Sequence, residues 1–344
     1  MTCFAAIEER ADIDLATFRD EVLPAGRPVV MRGLVSDWPA VAAAHEGAPV
    51  LAGLLRKQDV GQVMPFIVGP PSIRGRFFYN DSLEGVNFEY RQATFSEVLQ
   101  ALLDMVDQHD PPAIAMQSVR EKDAVPGFSA THRCPVVDDD VMPRLWLGNA
   151  VTVQTHVDAS QNVACVVAGR RRFTLFPPQQ TRNLYVGPFE HTLAGPLVSM
   201  APVDPPDLER YPRFAAALEV AQSAELEPGD AIYIPYMWWH HVRSLDPVSL
   251  LVNYWWNDVA TARPSLLRPM EGLIAAMVSV RDLPSHQRGA WQAMFDAFVF
   301  DAGKDAGAHL PSHRRGVQGQ LDESGMAAVA AAFAAALVRR RVSG

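Results

Sequence analysis

Between Ile114 and Trp256 the chain breaks into short extended runs, "VTVQTHVD", "NVACVVAG", "RRFTLFPP", "AIYIP" and "VSLLVNYWW", each bounded by Gly, Pro, Asn or Asp. Runs of this length, rich in Val, Ile, Thr and aromatics and separated by turn residues, specify strands. Several short strands with turn signals between them favour an antiparallel barrel or sandwich over an alternating α/β sheet. The flanks read differently. "LATFRDEVLPAGRPVVMRGLV" predicts a short amphipathic helix, a Pro/Gly stop and a buried strand, and the apolar residues of "SEVLQALLDMV" recur at helical spacing. After Pro264 the chain is helical again, ending in the alanine-rich "SGMAAVAAAFAAALVRRR", whose terminal arginines would complement the helix dipole. The expected organisation is mixed elements over 1–110, a barrel over 111–260 and helices over 261–344. The fold class is mainly β with flanking helices.

Of the 344 residues, 49% are hydrophobic and 20% charged, enough apolar mass for a sizeable core. A net charge of -9 gives no general basic surface for a nucleic-acid backbone; "SHRRG" at Ser312 and the C-terminal "RRR" are the basic patches to watch for such contacts. Cys3, Cys134 and Cys165 are too few and scattered for a disulfide framework or a paired-cysteine metal site, and they suit a reducing compartment. The N-terminus carries acids where a secretory signal would be basic, and no apolar run reaches membrane-spanning length. The cytoplasm is therefore the expected location, with no membrane partner.

Chemistry concentrates in "VTVQTHVDASQN". In an extended strand Thr152, Gln154, His156 and Asp158 alternate onto one face, setting an imidazole beside a carboxylate. A histidine from a distant strand would complete the two-His, one-carboxylate set that leaves positions open on non-haem Fe(II). "YMWWHHVRSL" offers His240 and His241, which, being adjacent in an extended strand, cannot easily both reach one ion.

The order of blocks, His156-x-Asp158, Asn162, "NVACVVAGRRRFTLFPP", "NLYVGP", "LEPGDAIYIPYMWWHHVRSL" and "VSLLVNYWW", resembles the cupin-like Jumonji C oxygenases, in particular the group around the hypoxia-factor asparaginyl hydroxylase. The resemblance runs from about Arg27, opening with "RPVVMRGLVSDWPA", to Asn257. It implies a double-stranded β-helix (cupin, jelly-roll) core and an Fe(II)- and 2-oxoglutarate-dependent hydroxylase that acts on a protein or peptide side chain with O2. It implies His156, Asp158 and His240 as iron ligands, with His241 beside the site or at the surface. Arg171 stands where the family has a lysine for the remote carboxylate of 2-oxoglutarate. It shares a face with Phe173 and Leu175, whereas Arg170 and Arg172 alternate outward. Asn162 and Asn253 match positions flanking the oxoacid and metal; an interior Asn in "LLVNYWW" independently calls for a polar site. Trp255 would wall the pocket or fill core, and Gln117 matches a family position near it.

Two departures stand out. Val153 occupies the place of a threonine three residues before the first histidine, leaving Thr152 or Thr155 as substitutes, and a family tyrosine has no counterpart near Ala115 or Met116, leaving Tyr79 as replacement. Two other readings keep the same metal residues: a hydroxylase of modified bases in transfer RNA, which the acidic charge disfavours, and a metal-binding cupin that senses without turnover. The C-terminal helices suggest a homodimer.

Overall fold

The computed structural model describes residues 4–257, 268–301, 307–319 and 321–342, which leaves Cys3 outside the described residues. The chain divides into two compact units, Met1–Asp258 and Val259–Gly344. In the first, fifteen strands run β1 (Ala5–Ala6), β2 (Glu8–Arg10), β3 (Val29–Met31), β4 (Met64–Gly69), β5 (Glu89–Ala93), β6 (Ala113–Arg120), β7 (Pro143–Gly148), β8 (Thr152–Val157), β9 (Gln161–Ala168), β10 (Arg171–Phe176), β11 (Leu197–Val198), β12 (Gln222–Leu226), β13 (Ala231–Ile234), β14 (Trp239–Ser244) and β15 (Ser249–Trp256). They form a six-stranded sheet, β1-β12-β10-β14-β8-β11, and a nine-stranded sheet, β2-β3-β13-β9-β15-β7-β6-β4-β5. This is a jelly-roll core with flanking helices.

The pattern of β9 explains why its sequence is apolar without interruption. Val163, Cys165 and Val167 pack with the N-terminal helices, while Ala164 and Val166 turn into the space between the sheets beside Phe173, Leu175, Ile232 and Leu251. A strand covered on both faces has no solvent side on which to alternate. Cys134 and Cys165 are free thiols in the larger cluster.

The predicted N-terminal helix is present as helical turns over Leu15–Thr17, Phe18–Val22 and Leu23–Ala25, stopped by Gly26 in the left-handed conformation at φ 59°. Phe18 from its middle meets the Tyr233 ring edge-on at 5.3 Å, fixing this helix to β13. "SEVLQALLDMV" forms the helix Phe95–Leu103, entered through a capping box in which Thr94 and Glu97 satisfy each other's backbone N–H groups.

The second unit carries helices Pro269–Val280, Ser285–Phe295 and Glu323–Val342. Neither of the first two has a buried residue, and Leu273, Ile274, Val278, Trp291 and Met294 are exposed. The side chains of 339–341, invoked above for the helix dipole, lie outside the described residues. No described helix is long and apolar enough to cross a membrane.

Candidate metal centre

Strands β8 and β14 pair antiparallel with His240 directly opposite His156. The next paired residues are Val242 and Val153, so His241 faces two residues, Gln154 and Thr155. This is a β-bulge, and it corrects the expectation that Thr152, Gln154 and His156 share a face. The extra residue turns Val153 inward with His156, and both line the central cavity. Gln154 is turned away, its Nε2 donating to the carbonyls of Ser199 (2.8 Å) and Ala201 (3.1 Å). Neither Thr152 nor Thr155 lines the cavity, and the Thr155 hydroxyl is buried without a partner among the described residues.

Asp158 follows the end of β8, and its carbonyl accepts from the N–H of Met237 at 3.1 Å, tying the entry of β14 to it. Each imidazole is oriented from behind: His156 Nδ1 lies 2.8 Å from the Gln154 carbonyl and His240 Nδ1 3.0 Å from that of Trp238. A carbonyl only accepts, so both Nδ1 atoms carry the proton and both Nε2 atoms present lone pairs. Those Nε2 atoms lie 3.9 and 3.5 Å from Asp158 Oδ2, which is buried and has no hydrogen-bond partner among the described residues. One donor atom from each residue falls within 4.8 Å of the others. Neighbouring ligands of an octahedral ion stand roughly 3 Å apart for bonds of ~2.1 Å, so a small inward adjustment closes the set on one ion. Burial, with His156 nearby, lowers the pKa of His240 to about 4, so it is neutral and able to ligate near neutral pH.

His241 is not at the surface. It is buried on the opposite side of the sheet, across from Thr174 on β10, and burial together with Arg76 and Arg243 lowers its pKa to about 3. The tryptophans before the pair anchor the strand: Trp238 Nε1 donates to the Gly26 carbonyl and Trp239 Nε1 to Thr181 Oγ1.

Arg171 enters the same cavity from the start of β10. It is only 5% exposed, and among the described residues no carboxylate pairs with it. Its Nε donates to Ser249 Oγ at 2.9 Å and its Nη2 to the Trp146 carbonyl at 3.1 Å, which aims the rest of the guanidinium. Burial lowers its pKa from the usual arginine value. A buried cation without a counter-charge is costly, and a bound anion would offset that cost. Arg170 and Arg172 do face outward, in ion pairs with Asp246 and Glu225. The turn that aims the three requires Gly169, at φ +66°, where a Cβ would stand 2.6 Å from the Val248 carbonyl oxygen.

Asn253 and Asn162 are both in the cavity wall and bonded to each other, Asn253 Nδ2 donating to Asn162 Oδ1 at 3.2 Å, while Asn253 Oδ1 accepts from Trp146 Nε1 at 2.7 Å. Trp255 also lines the cavity, edge-on to Trp146, with its Nε1 buried and without a partner among the described residues. The remaining wall is apolar, including Val153, Phe173, Ile234, Val242 and Leu251, around about 40 Å³ of free space.

Two further expected residues, besides Thr152 and Thr155, are elsewhere. Tyr79 donates to the His191 carbonyl at 2.6 Å in a separate cleft with Arg76 and Tyr211, and Gln117 sits half-buried on β6, outside the cavity wall. Conversely, Trp146, Ser249 and Arg144 carry contacts that the sequence reading missed. Period-two counting back from Trp255 through Asn253 and Leu251 reaches Ser249, and "RLWLG" puts Arg144 and Trp146 on one face; that signal was available.

Residues 15–262 match the family described as the cupin-like domain. The chain is 25% identical over 259 residues to "Lysine-specific demethylase 8" of Xenopus tropicalis, covering 71% of this chain and 51% of that protein. It is 28% identical over 259 residues to "Jumonji C domain-containing protein 5" of Drosophila melanogaster, covering 71% and 58%. A shorter stretch of 115 residues is 37% identical to "HSPB1-associated protein 1" of Homo sapiens, 32% of this chain and 22% of that one. The chain thus spans about half the length of the first two of these relatives.

Proposed function

This chain belongs to the cupin-like domain family of Jumonji C proteins, and from that premise we propose that it is an Fe(II)- and 2-oxoglutarate-dependent oxygenase that hydroxylates a protein or peptide side chain. The observation that carries the reading is the meeting, in one cavity, of the His156–Asp158–His240 donor set with the uncompensated guanidinium of Arg171.

The tasks divide among this chain's residues. His156 and His240 through Nε2, and Asp158 through Oδ2, would hold the ion, their orientation fixed by the carbonyls of Gln154 and Trp238. Arg171, steadied by Ser249 and Trp146, would bind the remote carboxylate of 2-oxoglutarate. The linked amides of Asn162 and Asn253 and the free N–H of Trp255 supply the polar groups on the wall, and the apolar remainder excludes water. When bound, the iron supplies oxidation of an unactivated C–H by O2, coupled to conversion of 2-oxoglutarate to succinate and CO2. A side-chain substrate is supported by the relatives named as lysine-specific demethylases. Self-association is supported by the exposed apolar residues of helices Pro269–Val280 and Ser285–Phe295.

The test is succinate formation by the iron-loaded chain with 2-oxoglutarate and a peptide library, read with a +16 Da mass change in a peptide. No succinate under any of these conditions, including with cell lysate as substrate, overturns the proposal.

A further inference from the structure

We propose that Arg144 recognises a carboxylate on the substrate, close to the carbon that is oxidised; this rests on the oxygenase reading of the cavity. Arg144 and Trp146 are two apart on β7 and so share a face, and Trp146 lines the cavity. Across the β7–β15 pair Arg144 stands opposite Asn253, another cavity residue, and its guanidinium lies 5.6 Å over the ring of Trp255.

The barrel has a direction that places this arginine. On β14, His240 lies at one end and Ser244, the partner of Arg171, four residues on, about 13 Å at the usual rise per residue. On β15, Ser249 holds Arg171, and Asn253 and Trp255 lie towards the other end. Arg171 therefore lines the cavity at the end away from the metal donors, while Arg144, just outside the cavity wall behind Asn253 and Trp255, lies towards theirs.

Among the described residues Arg144 also lacks a counter-charge, and its hydrogen bonds there run only from Nη1 to Ser118, to the carbonyl at 3.3 Å and to Oγ at 3.2 Å. Directly opposite it on β6 is a second arginine, Arg120, which is ion-paired with Asp123. Like charges facing across strands are unfavourable, and one carboxylate for two arginines leaves an excess positive charge at this rim. Ser118 reaches Arg144 from a bulge in β6, in the left-handed conformation at φ 53°, which costs a non-glycine residue free energy. A strained backbone that steadies an unpaired, partly buried guanidinium beside the oxidation site fits a group awaiting an anion from outside. The carboxylate could belong to an Asp or Glu side chain next to the target residue or to a free chain terminus.

The experiment measures binding of fluorescent decapeptide pools to the full Mn(II)-loaded chain, which requires no turnover. The pools are amidated with one fixed Asp or Glu, amidated neutral, amidated with one fixed Lys or Arg, and neutral with a free C-terminal carboxylate. We expect an acidic pool to bind about tenfold more tightly than the neutral amidated pool, the better of the side-chain and free-terminus pools identifying the source. Arg144→Gln should remove the preference and Arg144→Glu should turn it towards the basic pool. If Arg144→Glu fails to fold, shown by lost Mn(II) binding, Arg144→Gln decides by the same criterion. No preference in the wild-type chain, or one that survives these substitutions, overturns the proposal. A preference that behaves as expected in a chain that makes no succinate overturns the oxygenase reading and leaves this binding site standing.

Discussion

His156 and His240 stand directly opposite each other across β8 and β14, ring centroids 4.1 Å apart, each donating Nδ1–H to the carbonyl two residues before it. The adjacent His241 shares neither that face nor that role. His240→Ala should therefore lower Mn(II) or Co(II) affinity beyond the 10–100-fold typical of residues that only orient ligands. His241→Ala should keep metal binding and lose roughly 1–3 kcal/mol of stability, as expected for emptying a buried polar position. Calorimetric metal titration and urea unfolding separate the two.

Arg171 should set co-substrate affinity. Removing its charge in Arg171→Met should weaken 2-oxoglutarate binding by about 10–100-fold, the scale of one or two charge-assisted hydrogen bonds. Arg171→Lys should recover part of it, since an ammonium retains the charge without the planar fork. Ser249→Ala should give a smaller loss by freeing the guanidinium to rotate. Fluorescence or calorimetric titration of the Mn(II)-loaded protein checks all three, and equal affinities would contradict the assignment.

Gly169→Ala should destabilise the chain by about 1–3 kcal/mol, because the residue sits at φ +66° and its Cβ would press on the Val248 carbonyl. The same change should weaken 2-oxoglutarate binding, since Arg171 leaves the turn two residues later.

His132 gives a pH dependence away from the metal centre. Its Nε2 accepts from the Ala40 N–H and its Nδ1 donates to the Phe128 carbonyl, a pattern only the neutral ring can make. Burial lowers its pKa below the usual histidine value. The folded state thus binds a proton less readily than the unfolded state, so this contribution is present above about pH 6.5 and is lost as pH falls below it. His132→Gln should be less stable than wild type at pH 8, with the difference shrinking towards pH 5, as read by thermal unfolding.

If the exposed helices Pro269–Val280 and Ser285–Phe295 pair with a second copy, light scattering should give twice 37.8 kDa. Val278→Asp, at a position 76% exposed, should then shift the mass towards one chain without loss of metal binding.

Much of the centre could be read from the sequence because its signals are periodic. Strands β8, β9, β10, β13 and β15 announce themselves by length and turn residues, and Arg171 alternates inward between two outward arginines. The bulge in β8 could not be read: an inserted residue leaves composition unchanged and shows only once β14 is paired beside it. Simple alternation therefore assigns Gln154 to the wrong face. The place of Tyr79 escapes periodicity for a related reason: it depends on His191, 112 positions away. His241 is likewise buried among neighbours distant in sequence, paired with Thr174 on β10 and facing the bulge of β8, which alternation within one strand does not encode.

The bulge in β8 also says where this barrel has slack. With two residues opposite His241, loss of Thr155, whose hydroxyl has no partner, would restore one-to-one pairing and still leave Val153 and His156 on a common face. One residue fewer between His156 and Asp158 would instead send the carboxylate to the wrong side. The metal-binding strand is thus length-tolerant on one side of its first ligand and rigidly counted on the other, which makes the spacing of His156 and Asp158, and not the length of the strand before them, the part of this sequence that cannot drift.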